Sequence, residues 1–136
     1  MTMIQSSPLL RRALALDAIA CAAMGALLAV AAAPLAAWLG LPAPFLRGAG
    51  LLLLPCAAVL VWLAIRQDVP RLAAFAVIAV NLVWITDSLL LLAGGWFAPT
   101  GLGIAFVLAQ AATVLALTAM EATGLTRSAM RSSATA

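Results

Sequence analysis

The sequence contains no histidine, no lysine and no tyrosine. Without histidine it lacks the commonest general base, the usual haem ligand and the usual ligand of most transition-metal sites. It has two cysteines, Cys21 and Cys56, each inside an apolar run and with no C-x-x-C pair. That spacing suggests neither thiol redox chemistry nor a zinc site, and the two read as small hydrophobes. Charge is also scarce. Only 8% of residues are Asp, Glu, Lys or Arg, where soluble domains carry about 25%. No Ser–His, Cys–His, metal-ligand or paired-carboxylate set can be read from the chain. The expectation is a protein that is not an enzyme and uses no cofactor or metal.

Apolar residues dominate what remains. Of 136 residues, 67% are hydrophobic, and the mean hydropathy is +1.22. A soluble fold of this length could not hide so much apolar surface, whereas a bilayer replaces the missing interior. The net charge of +3 and the pI near 10.2 raise nucleic acid as a partner. The arginines sit at the ends of apolar runs and form no stripe, so topology explains them better. The all-arginine, alanine-rich composition fits a GC-rich bacterial genome.

Four apolar runs stand out: Ala13 to Ala33, Gly48 to Ile65, Leu72 to Ala93 and Gly101 to Met120. Each is about the 20 residues that a helix needs to cross a ~30 Å hydrocarbon core. The second is the shortest and can recruit Phe45 and Leu46. Each must be helical, because the bilayer offers no water to unpaired backbone groups. The joints "APLAAWLGLPAPFLR", "RQDVPR" and "GGWFAPT" carry turn and helix-stop residues. Asp68 in the second joint is placed to cap the third helix ahead of Pro70. The two short joints predict antiparallel neighbours.

The arginines give an orientation. Arg11, Arg12, Arg66, Arg71, Arg127 and Arg131 fall on one side and Arg47 alone on the other. The positive-inside rule then puts both termini in the cytoplasm. Trp38, Phe45, Trp96 and Phe97 form an aromatic belt on the outer face. The expected architecture is all-α and polytopic, with four transmembrane helices in an up-down four-helix bundle. One domain covers residues 1–125, and a flexible polar tail covers 126–136. Small residues govern close approach of helices in lipid, and Ala105, Ala109, Ala112, Ala116 and Ala119 predict the packing seam of the fourth helix. Pro55 predicts a kink in the second. So small a bundle leaves little room for an internal cavity.

Polar side chains inside a membrane are the natural site candidates. Asn81 and Gln110 lie near the midplane of the third and fourth helices, at similar depth, and are expected to bond to each other. Asn81, Trp84 and Ser88 share one helical face, with Asp87 flanking it. Asp87 can pair with Arg47, stay protonated, or bond to nearby Trp and Ser donors. Asp17 lies just inside the first helix, where Arg12, Arg66 and the helix-ending Glu121 could join it in an inner-face cluster. Asp17 and Asp87 stand at opposite depths and cannot form a carboxylate pair. The candidates for ligand contact or proton coupling are therefore Asp17, Asn81, Trp84, Asp87, Ser88 and Gln110.

"GLLLLPCAAVLVWLA", "NLVWITDSLLLLAGGWFAPTGLGIAFVLAQA" and "ALTAMEATGL" resemble a family of small four-helix bacterial inner-membrane proteins that is itself uncharacterised. The resemblance implies the same topology and carries no activity with it. The expected function is an accessory or assembly subunit of the inner membrane, or a small binding protein for lipid or an apolar ligand. The alternative is a proton-coupled exporter of hydrophobic or cationic compounds, working as an oligomer through Asp17 or Asp87. Expected partners are membrane lipids, another membrane protein or further copies of the chain, and not nucleic acid.

Overall fold

Where the sequence is most apolar the backbone closes its own hydrogen bonds as helix, the only open-chain solution in lipid. The computed structural model describes residues 2–136. Among these the chain forms, in order, β1 (Met3–Gln5), α1 (Pro8–Val30), α2 (Ala32–Leu39), α3 (Ala43–Ala64), β2 (Asp68–Pro70), α4 (Arg71–Ala93) and α5 (Gly101–Ala134). Helices α1, α3, α4 and α5 are each long and apolar enough to cross a membrane. The protein is an all-α, multi-pass membrane protein, and the four long helices alternate in direction.

Local chemistry sets the helix ends. Ser7 caps α1 by accepting from the Leu10 N–H, with Pro8 in the first turn. Thr100 caps α5 through the Gly103 N–H and donates to the Trp38 carbonyl at 2.6 Å, so one side chain ties α5 to α2. The first span was expected to run to Ala33. It stops at Val30 instead, and the chain restarts as α2. Pro34 explains the break, because it has no N–H for the Val30 carbonyl four residues back and its ring crowds that carbonyl. Pro55, by contrast, sits inside an unbroken α3, which begins at Ala43.

Several expectations are corrected. Asp68 caps nothing. The residue before α4 is Pro70, which has no side-chain bond to the helix, and Asp68 lies in β2. β2 pairs antiparallel with β1, with Ile4 opposite Val69, and both side chains are buried. The ladder continues through Ser6 N–H to the Gln67 carbonyl and Arg71 N–H to the Thr2 carbonyl. The N-terminal segment is thereby stitched across the α3–α4 joint. The expected tail is also helical, since α5 runs on to Ala134. Ser128 anchors this extension by accepting from the Ser7 N–H at 2.8 Å, and Ser7 donates to the Gly124 carbonyl.

The alanine seam faces outward: Ala105, Ala109, Ala112, Ala116 and Ala119 are all exposed. The packed face of α5 instead carries Gly103, Val107, Ala111, Thr118, Glu121, Gly124 and Ser128. Glycine permits closer approach than alanine, and the buried polar groups find partners only on this face, so it wins. At Gly124 an added Cβ would sit 2.6 Å from the Leu10 nitrogen. At Gly50 it would sit 2.6 Å from the Ala29 nitrogen, which marks the closest α1–α3 approach.

The helices pack in the order α3, α1, α5, α4, with α1 and α3 the most intimate pair. Consecutive α3 and α4 are not packing neighbours, contrary to the expectation from their short joint. The β1–β2 ladder holds them together at the arginine-rich end, and above it they splay. The gap is a cleft of about 750 Å³ to which all four long helices contribute, where little cavity was expected.

Candidate functional site

Asn81 lies midway along α4, level with the middle of the bundle. Its single amide nitrogen donates to the Asp17 Oδ2 at 3.0 Å and to the Glu121 Oε2 at 3.0 Å. One side chain thus joins α1, α4 and α5. Asp17 and Glu121 are each 1% exposed, and their carboxyl groups converge on that one nitrogen. Asp17 Oδ1 also accepts from the Cys21 thiol at 3.7 Å, one turn along α1. The other oxygen of Glu121, Oε1, is buried with no hydrogen-bond partner among the described residues.

No arginine neutralises this pair. Arg11 donates to the Ala64 carbonyl, Arg66 lies over the Trp62 ring at 4.5 Å, and Arg71 lies over Phe75 at 5.5 Å. The expected inner-face cluster therefore resolves differently. Its acids meet each other through Asn81, Arg66 lies over the Trp62 ring, and Arg12 is exposed with no ion pair among the described residues. Desolvating a guanidinium would cost more than the pairing returns, while stacking on an exposed ring leaves it hydrated.

A second polar group lies one turn further along α4. The Trp84 indole N–H donates to Gln110 Oε1 at 2.7 Å, and Gln110 Nε2 donates to Ser88 Oγ at 2.9 Å. Ser88 in turn donates to the Trp84 carbonyl at 2.7 Å. This closed ring fastens α4 to α5. Gln110 is thus fully engaged, and the expected Asn81–Gln110 bond does not form. An amide N–H gains more from a carboxylate than from another amide, which explains why Asn81 turns to the acids.

The structure brings together Asp17, Asn81, Trp84, Ser88 and Gln110 and leaves Asp87 out. Asp87 and Arg47 are both exposed, and Asp87 makes no hydrogen bond or ion pair among the described residues. Glu121, which the sequence placed near Asp17 but not among the ligand or proton-coupling candidates, belongs to the site. It was read as the end of its helix, but α5 continues 13 residues past it, from Glu121 to Ala134. The signal was present in Gly103, Thr118, Gly124 and Ser128, small or hydroxyl residues that share its face.

The cleft reaches both polar groups. Leu52, Val59 and Leu60 of α3, Val77 and Val80 of α4, and Phe106 of α5 form much of its wall, and Asp17, Asn81, Trp84 and Gln110 line it too. Cys21 and Cys56, both free, also border it. The α3 and α4 walls each extend about 16 Å along their helices at 1.5 Å per residue, about the thickness of one leaflet of a ~30 Å core. Among the described residues no three His, Cys, Asp or Glu side chains could hold a metal ion. Comparison with known protein families, with curated proteins and with solved structures finds no match. The functional reading therefore rests on this geometry.

Proposed function

We propose that this protein is a non-enzymatic membrane binding protein that takes an apolar molecule from the lipid phase into the α3–α4 cleft. One observation carries the reading: a cleft of about 750 Å³, lined almost wholly by apolar side chains, with a few polar groups converging at mid-depth. Ligand sites are commonly 300–1,000 Å³ and combine apolar walls with a few placed polar groups. A proton-coupled carrier is the second reading, favoured by the buried Asp17–Glu121 pair; Asp87, exposed and unpaired, lends it no support. The arginine distribution supports a bacterial inner-membrane setting with the arginine-rich end in the cytoplasm. An activity reporter fused after Ala136 tests that orientation.

Bromododecanol, an uncharged alkyl chain with a heavy-atom quencher, tests the binding. Trp62 and Trp84 line the cleft, while Trp38 and Trp96 lie towards the opposite end. In nanodiscs, tryptophan quenching should saturate with bromododecanol, and Ala76→Trp together with Ala109→Phe, which fill the cleft, should abolish the saturable part. Quenching that rises linearly, as simple partitioning into lipid would give, is the result that defeats the proposal.

A further inference from the structure

We propose that Asp17 and Glu121 form a cation site in the wall of the cleft. The site holds one shared proton when the cleft is empty and exchanges it for the ammonium group of a lipophilic amine. The inference rests on the cleft being a ligand site, and it names the ligand's chemistry.

Three observations point the same way. First, the two carboxyl groups converge on one nitrogen, each with an oxygen 3.0 Å from Asn81 Nδ2. Two carboxylates that close with no counter-ion repel each other, and a retained proton relieves that. Second, Glu121 Oε1 is buried and unpartnered among the described residues. An acceptor left bare in an apolar interior is costly, and an incoming N–H would satisfy it. Third, Asp17 and Asn81 line the cleft, so a ligand there meets the pair through its Asp17 member. An alkylammonium supplies the same single positive charge as the proton it replaces, and its alkyl body matches the apolar walls, whereas a bare metal ion would match only the charge.

No positive group of the protein competes. On α1 the pair faces the Cys21 thiol, and Cys56 of α3 borders the same cleft. On α4 it faces the neutral Asn81, and Arg11, Arg66 and Arg71 are all engaged elsewhere. The exchange balances: an alkylammonium enters and one proton leaves to water. Binding should therefore strengthen as pH rises, up to the point where the amine itself loses its charge.

The experiment compares bromododecylamine with bromododecanol on the intact protein in nanodiscs of neutral lipid. Tryptophan quenching reads binding, and a pH indicator in weak buffer reads proton release. The amine should bind about tenfold or more tightly than the alcohol, the gain expected of hydrogen bonds to a charged group. It should release a proton on binding, and its advantage should grow with pH. Asp17→Asn and Glu121→Gln should each remove the preference. Equal binding of amine and alcohol by the unmodified protein overturns the cation site and leaves the apolar cleft standing. So does amine binding without proton release, or a preference that survives both variants. Failure of the alcohol to saturate overturns the cleft and the cation site together. The two wild-type readouts decide the question even where a variant does not fold.

Discussion

Replacing Asn81 with leucine keeps the branching at Cγ and the number of side-chain heavy atoms, and removes the only amide that joins Asp17 to Glu121. Both lost bonds are 3.0 Å long, one joining α4 to its packing neighbour α5 and the other reaching across to α1. Interhelical hydrogen bonds in membranes contribute about 0.6–1.7 kcal/mol each, so two of them set the loss at about 1–3 kcal/mol. Asn81→Asp should be worse, because it puts a third carboxyl against two that already lack a counter-ion. The assay is reversible unfolding in mixed micelles followed by far-UV circular dichroism. A double-mutant cycle pairing Asn81→Leu with Glu121→Gln isolates one bond, and its coupling should lie within the same 0.6–1.7 kcal/mol or so. Asn81→Leu within about 0.5 kcal/mol of wild type, the range of an ordinary surface change, would refute the reasoning that this amide fastens three helices.

Packing predictions follow from the same coordinates. Gly50→Ala should destabilise by about 1–3 kcal/mol, since its Cβ would meet the Ala29 backbone at 2.6 Å, whereas Gly48→Ala, with nothing within 4 Å, should be close to neutral. The same unfolding assay reads both. Ala111→Leu should destabilise more than Ala112→Leu, because Ala111 is buried and Ala112 exposed. The reverse order would restore the alanine seam as the packing face.

Hydropathy is a local property, and for that reason the four spans could be read from sequence to within a turn or so at most ends. The α1–α2 break was present in the sequence at Pro34, but the alanine run around it masked the stop. Face selection was not legible. Alanine periodicity on α5 describes a stripe and does not say which side meets α1, and only the glycine, serine and glutamate positions settle that. The Asn81 partner was mistaken because depth was matched across one hairpin, α4 and α5, with α1 left out. Asp17 lies deeper than expected because α1 begins at Pro8, ahead of the apolar run that starts at Ala13. The β1–β2 ladder has three residues per strand, too short for any periodic signal. Yet it holds the joint from which α3 and α4 diverge, and so the cleft itself was invisible from the sequence.

The central claim is that α3 and α4 stand apart along a cleft open to an apolar ligand. In a Cys21→Ala background, native Cys56 on α3 and a Val80→Cys substitution on α4 face each other across it. Direct disulfide formation needs Cα atoms within about 7 Å. No disulfide should form on oxidation, but a bis-maleimide with a spacer longer than the ~10 Å between packed helix axes should close the gap efficiently. Bromododecanol should slow that closure. Rapid disulfide formation on oxidation, with no effect of the alcohol, would mean that the two helices are packed together and that no cleft exists.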